Sequence, residues 1–448
     1  MNSYGNRYRF TLFGESHAPE IGVRIEGLQS GIPIDQAALQ AFLDRRAPGR
    51  FEWSTSRKEA DQVIFTEGLD GDSRTDGGPV TAVIRNTDAR PADYAAFGSI
   101  PRPGHADYPA WAKTGSLPAG GGKWSGRLTA PFCIAGGIAL QQLEKEGICV
   151  RARIGSIGGI QDTRGGFLSS DASPSLLSSD PLMNKRFTEK ILAAKAAGDS
   201  VGGVVECQVM GLPVGLGDHP FLGLENRIAA AVFGIPAVKG IEFGDGFALS
   251  ALHGSEANDA FRMEDGRVVT SSNHCGGILG GMSDGMPLVF RAAFKPTPTI
   301  AKAQESVDLA SGENVLLEGR GRHDPCVVPR AVPVVEAAAA CALYDALLSE
   351  KEDAPSLEAL RRRIDACDRK LLAAFEERMK ISAEIATLKG QSGKPVRDPA
   401  REEALLKKVV SALPSELASY GTALYQTIFS LSRNYQEKLL KQDAEAKA

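Results

Sequence analysis

The sequence predicts an α/β domain followed by a separate all-α domain. From residue 1 to about 330, short β-like runs alternate with helical stretches and many Gly-containing turns, a pattern typical of α/β folds. Residues 357–389 contain neither Gly nor Pro, and their apolar residues recur at helical spacing. That segment predicts one helix of about thirty residues, well above the globular mean of about eleven to twelve.

The elements of the first domain, residues 1–349, are expected to be short. Extended runs are predicted at residues 22–25, 80–84, 201–209 and 287–292, and helices near 185–197 and at about 332–348. The Ser-, Asp- and Gly-rich segment 163–184 is expected to be an exposed excursion.

A charged segment, residues 350–356, is predicted to be a linker, with Ser356 as the candidate N-cap of the long helix. Two further helices are expected at about 398–411 and 415–441, with Pro414 between them and a tail at 442–448. The second domain is therefore expected to contain three helices within residues 357–441.

Composition excludes several classes of partner. With 43% apolar and 24% charged residues, the chain is expected to be globular, and a net charge of -4 gives no general attraction to nucleic acid or to an anionic membrane. The 7 Cys include no CxxC pair, which argues against a disulfide framework and a zinc ribbon. We expect a cytoplasmic protein with no metal, no signal peptide and no run of about 18 apolar residues to cross a membrane.

Histidines in glycine-bracketed contexts indicate acid/base chemistry. Only 6 His occur in the chain, and His17 follows Ser16 in Gly14-Glu15-Ser16-His17, while His105 lies two residues before Asp107. A neighbouring hydroxyl or carboxylate can fix the tautomer and charge of an imidazole, which suits proton delivery near neutral pH. A later His323 precedes Asp324 in Arg322-His323-Asp324-Pro325-Cys326.

The Gly-rich loops do not match common nucleotide motifs. Leu117 and Trp124 occupy positions where a Walker A loop needs Gly and Ser/Thr, and no G-x-G-x-x-G opens a strand–helix unit. What remains is a set of loops in which Gly or Pro flanks cations, which suits phosphate and carboxylate ligands: residues 45–50, 122–127, 276–281, 295–299 and 319–322. The alternative for each single loop is an ordinary solvated surface.

These motifs, in this order, resemble chorismate synthase over residues 1 to about 345. The resemblance rests on Gly14–His17, Arg102–Asp107, Gly120–Thr129, Asn273–Gly281 and Gly321–Cys326. It implies a β-α-β sandwich and anti-1,4-elimination of phosphate from 5-enolpyruvylshikimate 3-phosphate to give chorismate. Reduced FMN would be required without net redox change, NADPH is the candidate reductant, and the assembly would be a homotetramer.

The resemblance also assigns roles. His105 would assist the departing phosphate, His17 with Ser16 beside it would protonate the reduced flavin, and Asp324 would relay the proton at flavin N5. The flavin contacts would be Lys123, Trp124, Ser125, Pro236, Ala237, Gly280, Lys295, Pro296, Thr297, Pro298, Thr299 and Arg322. The triply anionic substrate would be held by Arg46, Arg127 and Arg330.

Three positions depart from the family pattern. Ala18 stands where Gly or Cys is usual, Trp124 where a small residue is common, and Glu52 where a second substrate-loop Arg is often found. Arg50, two residues before Glu52, is the candidate to supply that charge.

Cations lie on the predicted buried face of the long helix. Ile364, Leu371, Phe375, Arg378 and Lys389 fall near one stripe at about 100° per residue. Burying a charge without a partner is costly, so an anion is expected in the bundle. In the last helix, Ser432 and Gln436 share an otherwise apolar stripe with Tyr425 and Ile428. A solvated cationic face is the alternative.

Residues 357–441 resemble the all-helical chorismate mutase, through 360–365, 377–378, 389, 395–398, 401–402, 432 and 436. The implied site comprises Arg361, Arg378, Lys389, Asp398, Arg401, Glu402, Ser432 and Gln436. Lys389 and Gln436 are the candidates for the ether oxygen of chorismate, and Arg361 and Arg378 for its carboxylates. The resemblance further implies an intertwined dimer in which Arg361 comes from the partner chain.

Two alternatives from other classes remain open. The first domain could be a net flavin oxidoreductase, and the helical domain could be a dimerisation or nucleic-acid module without mutase activity. A net oxidoreductase has no use for His105 beside a leaving phosphate, and a dimerisation module has none for Ser432, Gln436 and Glu402 beside cations.

Overall fold

The chain folds into two compact units, Met1–Asp353 and Ala354–Ala448. The structure is a computed structural model, and it describes residues 2–49, 51–55, 59–87, 98–167, 176–318, 324–353 and 357–445.

The first five-stranded sheet is antiparallel throughout, in the order β1-β2-β3-β5-β4. Its strands are β1 (Ser3–Tyr4), β2 (Arg9–Gly14), β3 (Glu20–Glu26), β4 (Ile64–Glu67) and β5 (Val80–Arg85). Ile21, Val23 and Ile25 alternate onto one face of β3 and are fully buried, as the period of two requires for a sheet with one covered face. The predicted strands at 22–25 and 80–84 are confirmed.

The second five-stranded sheet is also antiparallel, in the order β7-β6-β8-β14-β9. Its strands are β6 (Cys149–Ile157), β7 (Ile160–Gln161), β8 (Gly203–Met210), β9 (Val238–Phe243) and β14 (Leu288–Phe294). Within the described ranges, three small hairpins hold the remaining strands: β10 (Phe261–Glu264) with β11 (Arg267–Thr270), β12 (Ile278–Leu279) with β13 (Met282–Ser283), and β15 (Ala303–Val307) with β16 (Asn314–Glu318).

Helices α3 (Thr129–Lys145) and α7 (Val328–Asp353) form the layer between the sheets. They pack against each other, α3 against β3 and β5 and α7 against β6 and β8, which gives the predicted β-α-β sandwich. A Cβ at Gly136 of α3 would lie 2.1 Å from the Cβ of Ala337, so only glycine allows this approach. The other α-helices in the described part of the unit are α1 (Gln36–Arg46), α2 (Asp107–Thr114), α4 (Pro181–Ala196), α5 (Leu224–Phe233) and α6 (Gly254–Ala257).

Helix α7 is longer than predicted at both ends. It begins at Val328 rather than near 332 and tolerates Pro333 within it, and it continues through residues 350–353, which were expected to be linker. The remainder of that linker, 354–356, lies outside the described residues. By length and composition alone Val328–Glu350 could cross a membrane, although Glu336 and Asp345 interrupt its apolar residues, and 89% of its most apolar window is buried inside the unit, as in a core helix.

The second unit contains the three predicted helices. They are α8 (Leu357–Ser392), α9 (Pro399–Ser411) and α10 (Ala418–Glu445), with a short 3₁₀ turn at Ser415–Leu417. Helix α10 packs against both α8 and α9. In the single chain the predicted buried face of α8 is not covered, because Ile364 and Leu371 are 59% and 55% exposed. A 36-residue helix extends beyond what its two shorter neighbours can cover.

Candidate functional site

Ser16 orients His17. The serine is buried, and its Oγ lies 2.9 Å from His17 Nδ1 while donating to the carbonyl oxygens of Ala119 at 3.2 Å and Gly120 at 3.3 Å. A hydroxyl that donates to a carbonyl can only accept from the imidazole, which places a proton on Nδ1 of His17.

A triple-glycine loop closes over the same imidazole. Gly120, Gly121 and Gly122 have φ values of 60°, 89° and 50°, and a Cβ at Gly120 would lie 2.2 Å from His17 Cε1. These residues are therefore needed for backbone conformation and for close approach, not for a phosphate loop. The next residues, Lys123 and Trp124, are exposed, with Nζ 4.8 Å from the indole centroid.

His105 lies against the 295–299 segment. Its Nε2 is 2.7 Å from Thr299 Oγ1, and Lys295 Nζ donates to Gly104 O at 2.5 Å. A buried ion pair between Arg102 and Asp107 stabilises the loop that carries His105. Its two hydrogen bonds are Nε–Oδ2 at 2.7 Å and Nη2–Oδ1 at 2.9 Å.

The predicted flavin residues of two segments meet here. Lys295 N donates to Ala237 O at 3.0 Å, so residues 236–237 adjoin residues 295–299. Ala237 has φ +74°, an uncommon conformation for a residue with a Cβ, of the kind that clusters at ligand sites. Thr297 Oγ1 is buried without a hydrogen-bond partner, and a ligand oxygen or amide would satisfy it. Burial, with nearby Lys239, lowers the pKa of Lys295.

Three arginines and three carboxylates form a second centre. Asp61 accepts from Arg46 Nη1 at 2.5 Å and from Arg127 Nη1, Glu59 pairs with Arg127 Nε at 3.1 Å, and Asp324 pairs with Arg330. Burial opposes ionisation of Asp61, but Arg46, Arg127 and Arg330 together hold its pKa below the usual value. Arg127 Nη2 is buried with no hydrogen-bond partner and is free to donate to an anion.

Asn86 connects the arginine cluster to the loop that carries His17. Its Oδ1 accepts from Arg127 Nε at 3.0 Å, and its Nδ2 donates to Ala18 O at 2.7 Å, next to His17. The sequence reasoning missed Asn86, Asp61 and Glu59, because nothing in their local sequence marks a pairing with residues far along the chain.

The helical unit brings together part of its predicted site. Arg378 Nη1 donates to Ser432 Oγ, and Lys389 Nζ donates to Val396 O at 2.6 Å. Gln436 is 7% exposed, and its Oε1 is buried with no hydrogen-bond partner. A buried amide oxygen without a partner, one helical turn after the Ser432 that accepts from Arg378, suits a polar ligand that could donate to it.

The remaining predicted residues of this unit have other contacts. Glu402 Oε1 accepts from Arg433 Nη1 at 2.5 Å, a partner that sequence reasoning missed. Asp398 caps α9 by accepting from Arg401 N at 3.0 Å. The side chains of Arg361 and Arg401 are exposed, so the single chain does not bring Arg361 to the others.

Comparison with known proteins identifies the N-terminal unit. The family model for chorismate synthase matches residues 8–348, which is most of the chain. The chain belongs to the chorismate synthase family. Curated chorismate synthases from Lancefieldella parvula and Thermococcus kodakarensis are 45% and 46% identical, each over 78% of this chain and over 96% and 98% of the relative.

A solved structure agrees. A crystal structure of chorismate synthase matches with a TM-score of 0.60 and 27% identity, covering 81% of this chain and 97% of that chain. Residues 360–437 match the model for chorismate mutase type II, so a mutase domain follows the chorismate synthase in one chain. Both domains are enzymes, and the chorismate synthase family requires reduced flavin.

Within this chorismate synthase unit, the remaining predicted residues have local contacts of their own or lie outside the described residues. Gly280 lies at the exposed tip of the β12–β13 hairpin, whose Gly281 packs against Gly217 and Gly223. Ser125 caps the turn Gly126–Leu128 by accepting from Arg127 N. Arg50 and Arg322 lie outside the described residues. Among those that are described, no group of three or more His, Cys, Asp or Glu residues could hold a metal ion.

Proposed function

We propose that the chain is a bifunctional enzyme. Its N-terminal unit would eliminate phosphate from 5-enolpyruvylshikimate 3-phosphate in an anti-1,4 sense to give chorismate, and its C-terminal unit would convert chorismate to prephenate. The single observation that carries the first activity is the unfilled donor at Arg127 Nη2, buried in an arginine cluster that Asn86 ties to the His17 loop.

The arginines supply anion binding. Arg46, Arg127 and Arg330 carry planar guanidinium forks that can bind phosphate or carboxylate bidentately, and Arg50 would add a fourth. Because Arg46 and Arg127 are almost fully buried, their orientation is set before the substrate arrives.

His105 is the candidate for the departing phosphate. Thr299 fixes its Nε2 at 2.7 Å, and Lys295 Nζ lies against Gly104 of the same loop, so two cationic groups can face one anion. A protonated imidazole neutralises charge as the C–O bond breaks, which is general-acid assistance.

The flavin site is proposed around Thr297 Oγ1, which is buried without a hydrogen-bond partner. Thr297 Oγ1, Lys295, Thr299 and the Ala237 turn would hold reduced FMN together with Pro236, Pro296 and Pro298. The exposed residues Lys123 and Trp124, with Ser125, Gly280 and Arg322, would complete the site. When bound, the reduced flavin supplies an electron-rich partner for C–H cleavage, and NADPH is the proposed reductant.

His17 and Asp324 are proposed to hold protons near that flavin. Ser16 keeps a proton on Nδ1 of His17, which leaves Nε2 as the atom that can exchange one. Asp324 accepts from Thr55 N at 3.0 Å and pairs with Arg330. A relay through Asp324 therefore requires that this ion pair open.

The mutase site is proposed to act by positioning. A Claisen rearrangement needs no nucleophile and no proton transfer; it needs the reactive conformer and a donor at the ether oxygen as its charge grows. Lys389 and Gln436 are the proposed donors, Arg378 and the partner's copy of Arg361 the carboxylate ligands, and Ser432, Asp398, Arg401 and Glu402 the rest of the pocket.

The proposed assembly is a homo-oligomer in the cytoplasm, tetrameric through the synthase unit and dimeric through the mutase unit. The exposed Ile364 and Leu371 on α8 support the mutase dimer, because a second copy of α8 would cover them. Small molecules, and neither nucleic acid nor membrane, are the proposed partners.

One anaerobic assay tests both activities. The full chain is mixed with 5-enolpyruvylshikimate 3-phosphate and pre-reduced FMN, with and without NADPH, and phosphate, chorismate, prephenate and flavin oxidation are followed. We expect one phosphate per substrate, chorismate followed by prephenate, and no net flavin oxidation. Flavin oxidation in step with substrate would instead support a net oxidoreductase, and chorismate that persists would leave the helical unit as a dimerisation module.

A further inference from the structure

Asp61 stands at the centre of the arginine cluster and is unaccounted for by the proposed catalytic steps. Its side chain is 0% exposed, Oδ2 accepts from Arg46 Nη1 at 2.5 Å, and Oδ1 accepts from Arg127 Nη1. Its backbone has φ +49°, which costs energy for a residue other than glycine but is tolerated best by Asp and Asn. A strained backbone conformation persists only where the surrounding structure stabilises it. Here the hydrogen bonds from Arg46 and Arg127 keep the Asp61 carboxylate in place.

The carboxylate of Asp61 fixes the relative position of two guanidinium groups. The rest of each fork is anchored to the protein: Arg46 Nε donates to Thr129 Oγ1 at 3.0 Å and Nη2 to Gly126 O at 3.3 Å. Arg127 Nε contacts Glu59 and Asn86. Asp61 binds the Nη1 atoms, so that Arg127 Nη2 is left as the buried donor without a partner.

The cluster is electrically balanced before any ligand binds. Among the described residues, Arg46, Arg127 and Arg330 face Asp61, Glu59 and Asp324, three cations against three anions. Without a counter-anion, two guanidinium groups this close would repel each other and would bind any small anion strongly.

We propose that Asp61 is a positioning residue of the substrate-anion site. It fixes the relative orientation of Arg46 and Arg127 and neutralises part of their charge, so that the site binds the organic phosphate but binds free inorganic phosphate only weakly. Asp61 acts through the arginines and does not touch the substrate. The inference rests on the proposed elimination, because it assumes that an anionic group of the substrate binds at this cluster.

The test uses Asp61→Asn in the full chain. Asn keeps the shape and tolerates positive φ, but it removes the charge and places an amide donor against a guanidinium donor. We expect kcat/KM for 5-enolpyruvylshikimate 3-phosphate to fall by about 10²-fold, as when one partner of a buried charge pair is lost. The affinity for inorganic phosphate, measured directly by calorimetry, should rise by about tenfold or more because the site gains a net positive charge.

A second variant protects the test against misfolding. Gly adopts φ +49° without strain, so Asp61→Gly removes the carboxylate while relieving the backbone. Added formate should refill the vacated volume, raise turnover of this variant by at least about tenfold, and weaken phosphate binding again. The double variant Asp61→Asn with Arg127→Met should lose the added phosphate affinity, which locates it at the cluster.

Asp345→Asn is the matched control. Asp345 is also buried and ion-paired, to Arg227 Nη1 at 2.8 Å, and it accepts from three backbone N–H groups of residues 6–8. Its variant should lose stability without gaining phosphate affinity. Unchanged phosphate affinity in Asp61→Asn, absence of formate rescue, or failure of both Asp61 variants to fold would overturn the proposal. Wild-type protein that releases no phosphate from the organic substrate would instead refute the proposed function.

Discussion

The guanidinium of Arg127 is hydrogen-bonded to the side-chain amide of Asn86, with Nε 3.0 Å from Oδ1. The same amide donates to Ala18 O at 2.7 Å. One side chain therefore sets the distance between the arginine cluster and the His17 loop. The relative placement of the group that binds the anion and the group that holds the proton is therefore built into the unbound protein.

Removing this link should impair catalysis more than folding. For Asn86→Ala we expect kcat/KM of the elimination to fall by about 10²-fold, because a misplacement of about 1 Å is costly. Steady-state kinetics with pre-reduced FMN measure it. The matched control is Asn184→Ala, whose side chain accepts from Leu177 N in another part of the unit and which should retain normal turnover. Equal losses in the two variants would show that Asn86 has only a general structural role.

His105→Ala should separate chemistry from cofactor binding. Loss of the proposed general acid should lower chorismate formation by about 10²-fold or more. Flavin fluorescence titration should still show FMN binding, because Lys295, Thr297 and Ala237 do not depend on the imidazole. The exposed His219 provides a control, His219→Ala. Turnover near the wild-type rate in His105→Ala would remove His105 from the mechanism.

A surface pair predicts a pH-dependent difference in stability. His274 Nδ1 donates to Asp245 Oδ2 at 2.5 Å, and this hydrogen bond raises the pKa of His274 above its ordinary value. A raised folded-state pKa stabilises the fold fully below the unfolded pKa of about 6.5 and loses that effect as pH rises through the folded pKa. Wild type should therefore unfold at a higher temperature than Asp245→Asn at about pH 5.5, and the difference should shrink by about pH 9.

Thermal melts across this range measure the effect. In a His274→Gln background, the effect of Asp245→Asn on the unfolding temperature should no longer depend on pH, because Gln does not titrate. A difference between wild type and Asp245→Asn that is the same at every pH would mean that the hydrogen bond, and not the charge, is what stabilises this corner.

The mutase unit should function by itself. Because Met1–Asp353 and Ala354–Ala448 are separate compact units, a fragment of residues 355–448 should fold as a helical dimer and convert chorismate to prephenate. Circular dichroism measures its helix content, sedimentation its oligomeric state, and chorismate consumption its activity. A monomeric, folded fragment would contradict the covering of Ile364 and Leu371 by a second copy.

The sequence predicted the elements with strong local signals and the residues in long motifs. The absence of Gly and Pro from 357–389 predicted α8, and the glycine-bracketed motifs located His17 and His105. Asp61 and Asn86 were missed because their roles come from partners 15 to 68 residues away. The apolar stripe indicated that Ile364 needs a cover but not which chain supplies it, and only the resemblance to the all-helical chorismate mutase assigned that cover to a second chain.

Helix ends were predicted less well for a related reason. Residues 350–353 are charged and looked like a linker, yet they continue α7, where Glu350 accepts from Gly217 N at 3.0 Å. A tertiary contact of this kind overrides the local preference.

Lys389→Met tests most directly whether the two activities reside in two independent sites. Lys389 is half-buried and donates to Val396 O at 2.6 Å, so its replacement by an apolar side chain of similar length should change stability by only about 1 kcal/mol. The proposed donor to the ether oxygen would be lost, and the mutase rate should fall by about 10²- to 10³-fold. Supplied with 5-enolpyruvylshikimate 3-phosphate and reduced FMN, this variant should release phosphate at the wild-type rate and accumulate chorismate in place of prephenate. Prephenate formed at the wild-type rate, or loss of both activities together, would contradict two independent sites in one chain.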